Sequence, residues 1–150
     1  MQHIGFKLND KEYTIPILKV REIIKSPVLT RLPLVPEYLE GVTNLKGRVL
    51  AVVNLKKLVG LAGGITGDKV LVVGSDRVRF GFFVDSITGV INIDDSEVCR
   101  PPQGEFACSM HVSQRALTLL DTKRIIPAEC ISLKNGAGES LFLDPDAPAD

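Results

Sequence analysis

The sequence predicts a mainly β protein, a barrel or a sandwich built from at least seven short strands. Three observations lead to it. Apolar residues alternate with polar ones at a period of two in several runs. Gly, Asn, Asp and Pro punctuate the gaps between those runs. No segment sustains the period of a long helix. There is no βαβ alternation and no repeat at a fixed period, which sets aside a parallel α/β sheet and a solenoid.

The elements follow in order. Ile4, Phe6 and Leu8 alternate with Gly5 and Lys7, Asn9 to Lys11 supply turn chemistry, and Tyr13, Ile15 and Ile17 alternate again, which predicts a hairpin. Pro16 inside the second run marks an edge or a strand end. Residues 18–24 fit a short helical turn, a reading that their β-branched content leaves open. Pro33 and Pro36 force extended backbone, 37–40 fit one helical turn stopped by Gly41, and 42–45 fit a short strand. Gly47 marks a tight corner before 48–55, the strongest strand signal in the chain. Residues 56–60 then turn helically, and the glycine-rich 61–68 read as a mobile loop. A second hairpin joins 70–73 to 78–84 through the turn Gly74 to Arg77. Further strands are expected at 88–93 and 116–120. Between them Asp94 and Asp95 are placed to cap a turn over 96–98, and Pro101-Pro102 break the chain. A short helix is expected from Ile125, begun near Pro127.

Composition narrows the function classes. The 150 residues carry 18 Lys+Arg against 18 Asp+Glu, so the formal net charge is zero. Phosphate backbones and anionic membranes both call for a basic excess, so neither nucleic acid nor a lipid surface is the expected partner. Arg77 and Arg79 read as a solvated sheet face, and without interleaved aromatics they make no nucleic-acid platform. The longest aliphatic run, Val49 to Val53, is far short of the ~20 residues of a membrane span. The first eight residues lack a signal peptide's charged start and apolar stretch, so a cytoplasmic location is expected. Three cysteines, an odd number, then read as reduced thiols. Residues 139–150 hold four acids and no base, and their Pro-rich end predicts an acidic, disordered tail on a single domain spanning 1–138.

Chemical motifs are weak. Cys99, Cys108, His111 and Cys130 have the spacing C-x8-C-x2-H-x18-C, which does not pair ligands as zinc sites do, so no metal is expected. Cys108 and His111 are near enough in sequence to suggest a thiol dyad, while His3 sits on a terminus expected to fray. No nucleophile-elbow G-x-S-x-G is present. Gly63, Gly64, Gly67 and Lys69 do not follow the phosphate-loop pattern, since Asp68 intervenes and a strand follows, so a flexible connector is expected there. A β protein without a reaction site reads as a binding module, with a sheet edge or an aliphatic groove for a peptide or helix.

Several segments carry a family resemblance. The stretch from Tyr13 to Ile24, then Leu32-Pro33, Val35 to Gly41, and Val42 to Leu55 resemble the CheW-like domain pattern P-x-x-[IL]-x-G-V-x-N-L-R-G-x-[IV]-[IVL]-P-V-[IV]-D-L. Val70 to Val73 with Gly81 to Val90, and Leu119 to Asp121, are similar to its later elements, so the resemblance covers about residues 4–126.

The resemblance implies two intertwined five-stranded SH3-like β-barrels with a few short helices and a groove between the barrels. It implies a non-catalytic adaptor, without cofactor, that couples the cytoplasmic tip of a methyl-accepting chemoreceptor to the regulatory domain of a CheA-type histidine kinase. Such an adaptor would lie in receptor arrays at the inner membrane without inserting into it. The resemblance further implies receptor or kinase contact at Val20, Glu22, Gly41, Lys46 and Gly47. Ile17 and Ile24, beside Val20, would line an apolar groove for a helix. Asp85 reads as structural. Three residues depart from the pattern: Lys46 stands for arginine, Ala51 for proline and Asn54 for aspartate, and 103–113 match poorly. Lysine keeps the charge but lacks the planar fork of arginine. The alternatives are a diverged CheW-like module of another two-component pathway, or a small thiol or metal enzyme using Cys108 and His111.

Overall fold

The computed structural model describes residues 1–75, 77–127 and 131–144. It is mainly β. Ten strands are described: β1 (Gln2–Leu8), β2 (Lys11–Pro16), β3 (Val20–Lys25), β4 (Leu39–Leu45), β5 (Arg48–Val53), β6 (Lys69–Ser75), β7 (Val78–Val84), β8 (Ser86–Asn92), β9 (Ala107–Val112) and β10 (Arg115–Leu120). The helical content among the described residues is a 3-10 turn, Ile17–Lys19, and one turn of α-helix, α1 (Leu55–Leu58).

The strands form two five-stranded sheets, ordered β8-β1-β2-β10-β9 and β3-β6-β7-β5-β4. The chain begins in the first sheet, builds the whole of the second, and returns to finish the first. Each sheet holds one parallel pair between strands distant in sequence, β10 with β2 and β5 with β7. The two sheets are therefore intertwined along the sequence, as expected for the SH3-like arrangement.

Alternation of side chains explains why the longest aliphatic runs lie in the second sheet. Successive residues of a strand face opposite ways. In β5, Ala51 and Val53 join the large core, while Leu50 and Val52 face the other way into a smaller core with Val70 and Val72 of β6. Leu71 and Val73 of β6 join the large core in turn. Strands buried on both faces lose the polar half of the period-two pattern and read as continuous apolar runs. The large core lies between the sheets: Ile4, Phe6, Leu8, Tyr13 and Ile15 from β1 and β2 meet Phe80, Phe82 and Val84 of β7. The Phe6 and Phe82 rings pack with centroids 5.3 Å apart. A third core, of Ile91, Ile93, Met110, Val112, Leu117 and Leu119, belongs to the first sheet. Gly81 is required where β7 pairs with β6, since a Cβ there would lie 2.7 Å from Val70 Cγ1.

Several expectations are corrected. Residues 18–24 are split, a 3-10 turn to Lys19 and then strand from Val20. A turn at 37–38 replaces the helical turn at 37–40, because β4 already starts at Leu39. Strand β9 falls in the region that matched the family poorly. The helix from Ile125 is not formed among the described residues: 122–126 are turns and bends whose Ile125 and Ile126 are buried, and 128–130 lie outside the described residues. His3 does not fray. It is fully buried in β1, paired with Pro16 and Ile91, and burial lowers its imidazole pKa below the ordinary value. Arg79 is buried rather than solvated, and its Nη2 donates to the Val49 carbonyl at 2.9 Å. The loop 61–68 is irregular but pinned: Asn9 Nδ2 donates to Ala62 O at 3.0 Å and Lys56 Nζ to Gly64 O at 3.0 Å. Cys99 and Cys108 are joined in a disulfide, not held as reduced thiols.

The expected tail is corrected over 139–144, while 145–150 lie outside the described residues. Leu141 and Phe142 are buried in the large core at 1% and 0% exposure. Their backbone docks on the second sheet: Ala51 N–H donates to Leu141 O at 3.4 Å and Arg79 N–H to Phe142 O at 2.7 Å. The Ala51 bond needs an N–H, which proline lacks, so this departure from the family pattern holds the strap. Asp144, its side chain 4% exposed, pairs with Arg21 at 2.5 Å. Gly74 leaves room for that arginine, since a Cβ there would collide with the guanidinium.

Phe142→Ala is expected to cost about 3–5 kcal/mol, the range for emptying a buried aromatic site. Urea unfolding with a fixed slope measures it; a loss under about 1 kcal/mol would mean the strap contributes little to the core.

Candidate functional site

The seven candidate residues fall into two neighbourhoods. Ile17, in the 3-10 turn, and Val20, which opens β3, are half-buried and pack on the large core. Glu22, Ile24, Gly41, Lys46 and Gly47 belong to the two outer strands of the second sheet and the hairpin turn beside them. Outer strands keep one side of their backbone unpaired within the sheet, which makes them natural docking rims.

These two rims approach each other. Lys46 Nζ lies 3.6 Å from Glu22 Oε1. Thr30, in the segment after β3, exchanges two backbone hydrogen bonds with Val42 of β4, at 2.8 and 2.9 Å. Between them lies a cleft of about 480 Å³ lined by Ile24, Pro27, Val28, Thr43 and Leu45 among others. Ile24 and Leu45 close its base against the inner core of Leu50, Val52, Val70 and Val72. Val28 stands 85% exposed at its lip, and Ile23 of β3 is exposed nearby in sequence. Sequence reasoning missed Pro27, Val28, Thr43 and Leu45, because only the approach of two strands at opposite ends of the sheet brings them together. The one available signal was an aliphatic residue after Pro27 in a segment with no strand period.

Local geometry assigns a cause to each special residue. The β4–β5 hairpin pairs Leu45 with Arg48 across a two-residue turn in which Lys46 (φ 52°) and Gly47 (φ 83°) are both left-handed. Such turns match the right-handed twist of the strands. Asn44 Oδ1 accepts the Gly47 N–H at 2.8 Å and holds the turn. Lys46 therefore projects from a fixed corner with its side chain 79% exposed. Gly41 has a different origin. A Cβ there would sit 2.8 Å from Thr30 O and 3.3 Å from Leu29 Cβ, so the packing of the 29–30 segment on β4 requires glycine. Asn54 caps α1 by accepting from Lys56 N at 3.1 Å, a bond that the family's aspartate makes equally well.

Asp85 holds the far side of the second sheet. Its carboxylate accepts from Asn9 N at 2.7 Å and Thr66 Oγ1 at 2.6 Å, and pairs with the buried Lys56 Nζ at 2.9 Å. Burial pushes its pKa up. The Thr66 hydroxyl, the Lys56 ammonium and the Asn9 amide together outweigh that and leave the pKa below the ordinary value.

The thiol-dyad alternative fails on geometry. Cys108 is bonded to Cys99, and Cys108 and His111 stand three residues apart on β9, so they face opposite sides of the sheet. Cys130 lies outside the described residues.

The CheW-like domain profile matches residues 2–130. The chain belongs to the CheW-like domain family. Chemotaxis protein CheW of Helicobacter pylori is 37% identical over 105 residues, covering 69% of this chain and 64% of that protein. Chemotaxis protein CheW of Bacillus subtilis is 31% identical over 135 residues, covering 84% of this chain and 86% of that protein. The crystal structure of the scaffolding protein TtCheW from Thermoanaerobacter tengcongensis superposes with a TM-score of 0.75 at 24% identity, covering 94% of this chain and 97% of that one. The last likeness concerns the fold alone. The match to the CheW-like profile runs through both sheets, from β1 past β10, so both halves of the domain are present.

Two outcomes follow from this geometry. Gly41→Ala is expected to lose about 1–3 kcal/mol, since Thr30 must move to admit the methyl group. An unchanged urea midpoint would show that the 29–30 segment yields freely. Asp85 contributes stability that is fully present above about pH 4, the unfolded value, and is lost as pH falls through the lower folded value. Asp85→Asn is expected to flatten that acid limb and to cost about 2–3 kcal/mol at pH 7 by leaving Lys56 buried without its partner. Unfolding midpoints from pH 7 to pH 2.5 check both.

Proposed function

We propose that this chain is a non-catalytic adaptor of chemotaxis-type signalling. It couples the cytoplasmic tip of a methyl-accepting chemoreceptor to the regulatory domain of a CheA-type histidine kinase. Membership of the CheW-like family across residues 2–130 is the observation that carries the reading. The relatives named chemotaxis protein CheW, and the scaffolding protein TtCheW with its matching fold, support it. No helix among the described residues is long and apolar enough to cross a membrane.

Coupling two partners needs two surfaces whose geometry is fixed relative to each other. The core shared by the two sheets supplies that rigidity. The β3–β4 rim, with Glu22, Ile24, Lys46 and Gly47 around an apolar cleft, is the favoured docking face. Its chemistry suits a partner that inserts an aliphatic side chain and brings a carboxylate to Lys46. Ile17 and Val20 would contribute at the junction of the sheets, and Gly41 by shaping the rim.

Titration calorimetry against a CheA-type regulatory domain, and separately against a receptor-tip fragment, tests the reading. Binding to both is expected without metal or nucleotide. Lys46→Glu is expected to weaken one of them about tenfold, or about 1.4 kcal/mol, without lowering the unfolding midpoint. Absence of binding with both partners folded would move the function to a diverged CheW-like module with another partner, for which the missing arginine fork at Lys46 is the structural reason.

A further inference from the structure

The disulfide between Cys99 and Cys108 bridges two different kinds of structure. Cys108 lies on β9, the outer strand of the first sheet. Cys99 lies on the irregular segment 93–106 that connects β8 to β9. Both residues are half-buried against the core of Ile91, Met110 and Leu119.

The segment has other anchors, and they lie towards its ends. At its start, Ile93 N–H donates to Met1 O at 3.0 Å, and the chain's amino group lies 3.7 Å from Asp95 Oδ1. At its end, Asp121 N–H donates to Phe106 O at 2.8 Å. Arg124 Nη1 donates to the carbonyls of Pro101, Pro102 and Glu105 at 3.4, 3.1 and 3.0 Å. Between these anchors the disulfide is the covalent tie of the middle of the segment to the sheet, beside the packing of Val98 on the same core. Strand β9 does not depend on it, since six register pairs hold β9 to β10.

That middle forms one wall of a cleft of about 310 Å³. Val98, Cys99 and Pro101 face Leu119 and Leu120, with Lys19 of the 3-10 turn at the rim. Cys99 is half-buried and itself lines the cleft, on the side open to small solutes.

We propose that Cys99 and Cys108 form a reversible redox latch, a modification site whose reactants are low-molecular-weight thiols and disulfides. Its state fixes or frees the 96–100 wall of the cleft. In reduction, an external thiolate attacks Cys99 Sγ and the S–S bond breaks, with Cys108 leaving as a thiolate. A second external thiolate then attacks the sulfur of the first, the mixed S–S bond breaks, Cys99 leaves as a thiolate and a small disulfide is released; both protein thiolates take protons from water. The protein gains two electrons and two protons, and the external pair loses the same number. Oxidation by a small disulfide is the reverse. A bonded pair that is half-buried at a cleft, and that pins a loop rather than a sheet, has the access and the local consequence that a switch requires. The inference does not depend on the adaptor reading.

The test uses the full chain carrying Cys130→Ser, so that the only cysteines left are Cys99 and Cys108. The protein is equilibrated in dithiothreitol or in glutathione disulfide, alkylated with iodoacetamide and weighed by mass spectrometry. Amide exchange is followed on both forms. The expected result is two adducts after dithiothreitol, none after glutathione disulfide, and interconversion of the two forms. Amides of 96–100 should exchange at least about tenfold faster in the reduced form, with β1 and β2 unchanged. The double variant Cys99→Ser, Cys108→Ser should exchange like the reduced form. The proposal is overturned by a pair that stays alkylatable in glutathione disulfide, by one that stays bonded in dithiothreitol, or by equal exchange in the two forms. Should Cys130→Ser not fold, peptide mapping of the unmodified chain assigns the same adducts to Cys99 and Cys108.

Discussion

The burial of two sheets against one shared core is the constraint on which the rest of the structure depends. Phe6 and Tyr13 of the first sheet and Phe80 and Phe82 of the second occupy one aromatic cluster. Neither sheet can bury its inner face without the other. The interleaved chain path adds a second dependence, because β1 and β2 stay without β8 and β10 until the whole second sheet has been made. Contacts between residues so far apart in sequence close long loops before they are rewarded, so folding is slow relative to a helical protein of this size. The result is one core to which both sheets contribute.

The C-terminal strap extends the same logic. After the first sheet is complete, the chain returns to the second and lays Leu141 and Phe142 against it. The Arg21–Asp144 pair then joins the strap to β3, the strand that carries Val20, Glu22 and Ile24. Arg21 sits at a register shift between Val20 and Glu22, where the strand bulges and its twist changes. The strap therefore bears on β3 at the bulge between two of the candidate contact residues.

What the sequence shows of all this follows from the range of the interactions involved. The β1–β2 and β6–β7 hairpins and the two-sided strand β5 are legible because alternation and turn chemistry are local. The segment 139–144 is misread because its acids and the prolines after it dominate the composition, while the two adjacent apolar residues that seat it are only a short signal. The disulfide is invisible because the compartment argument favours free thiols, and a separation of nine residues says nothing about whether two Cβ atoms converge. The β3–β4 cleft is invisible for a deeper reason: Glu22 and Lys46 are neighbours only because opposite ends of one sheet come round to meet.

The same distinction separates the candidate site residues by the work each does. Gly41 is glycine because Thr30 and Leu29 pack on it, and Ile17 and Val20 face a core that needs them whatever binds outside. Substitutions there confound folding with recognition. Lys46 and Glu22 are different: one is mostly exposed, and their 3.6 Å contact is a surface pair that adds little to stability. Breaking that pair therefore costs the fold little. The left-handed turn holds the lysine at a fixed corner, so the base of this charge is already placed by the backbone. The place where the fold is indifferent to the side chain and strict about the backbone is the tip of the β4–β5 hairpin beside the apolar cleft, and a substitution there is the one that separates recognition from folding.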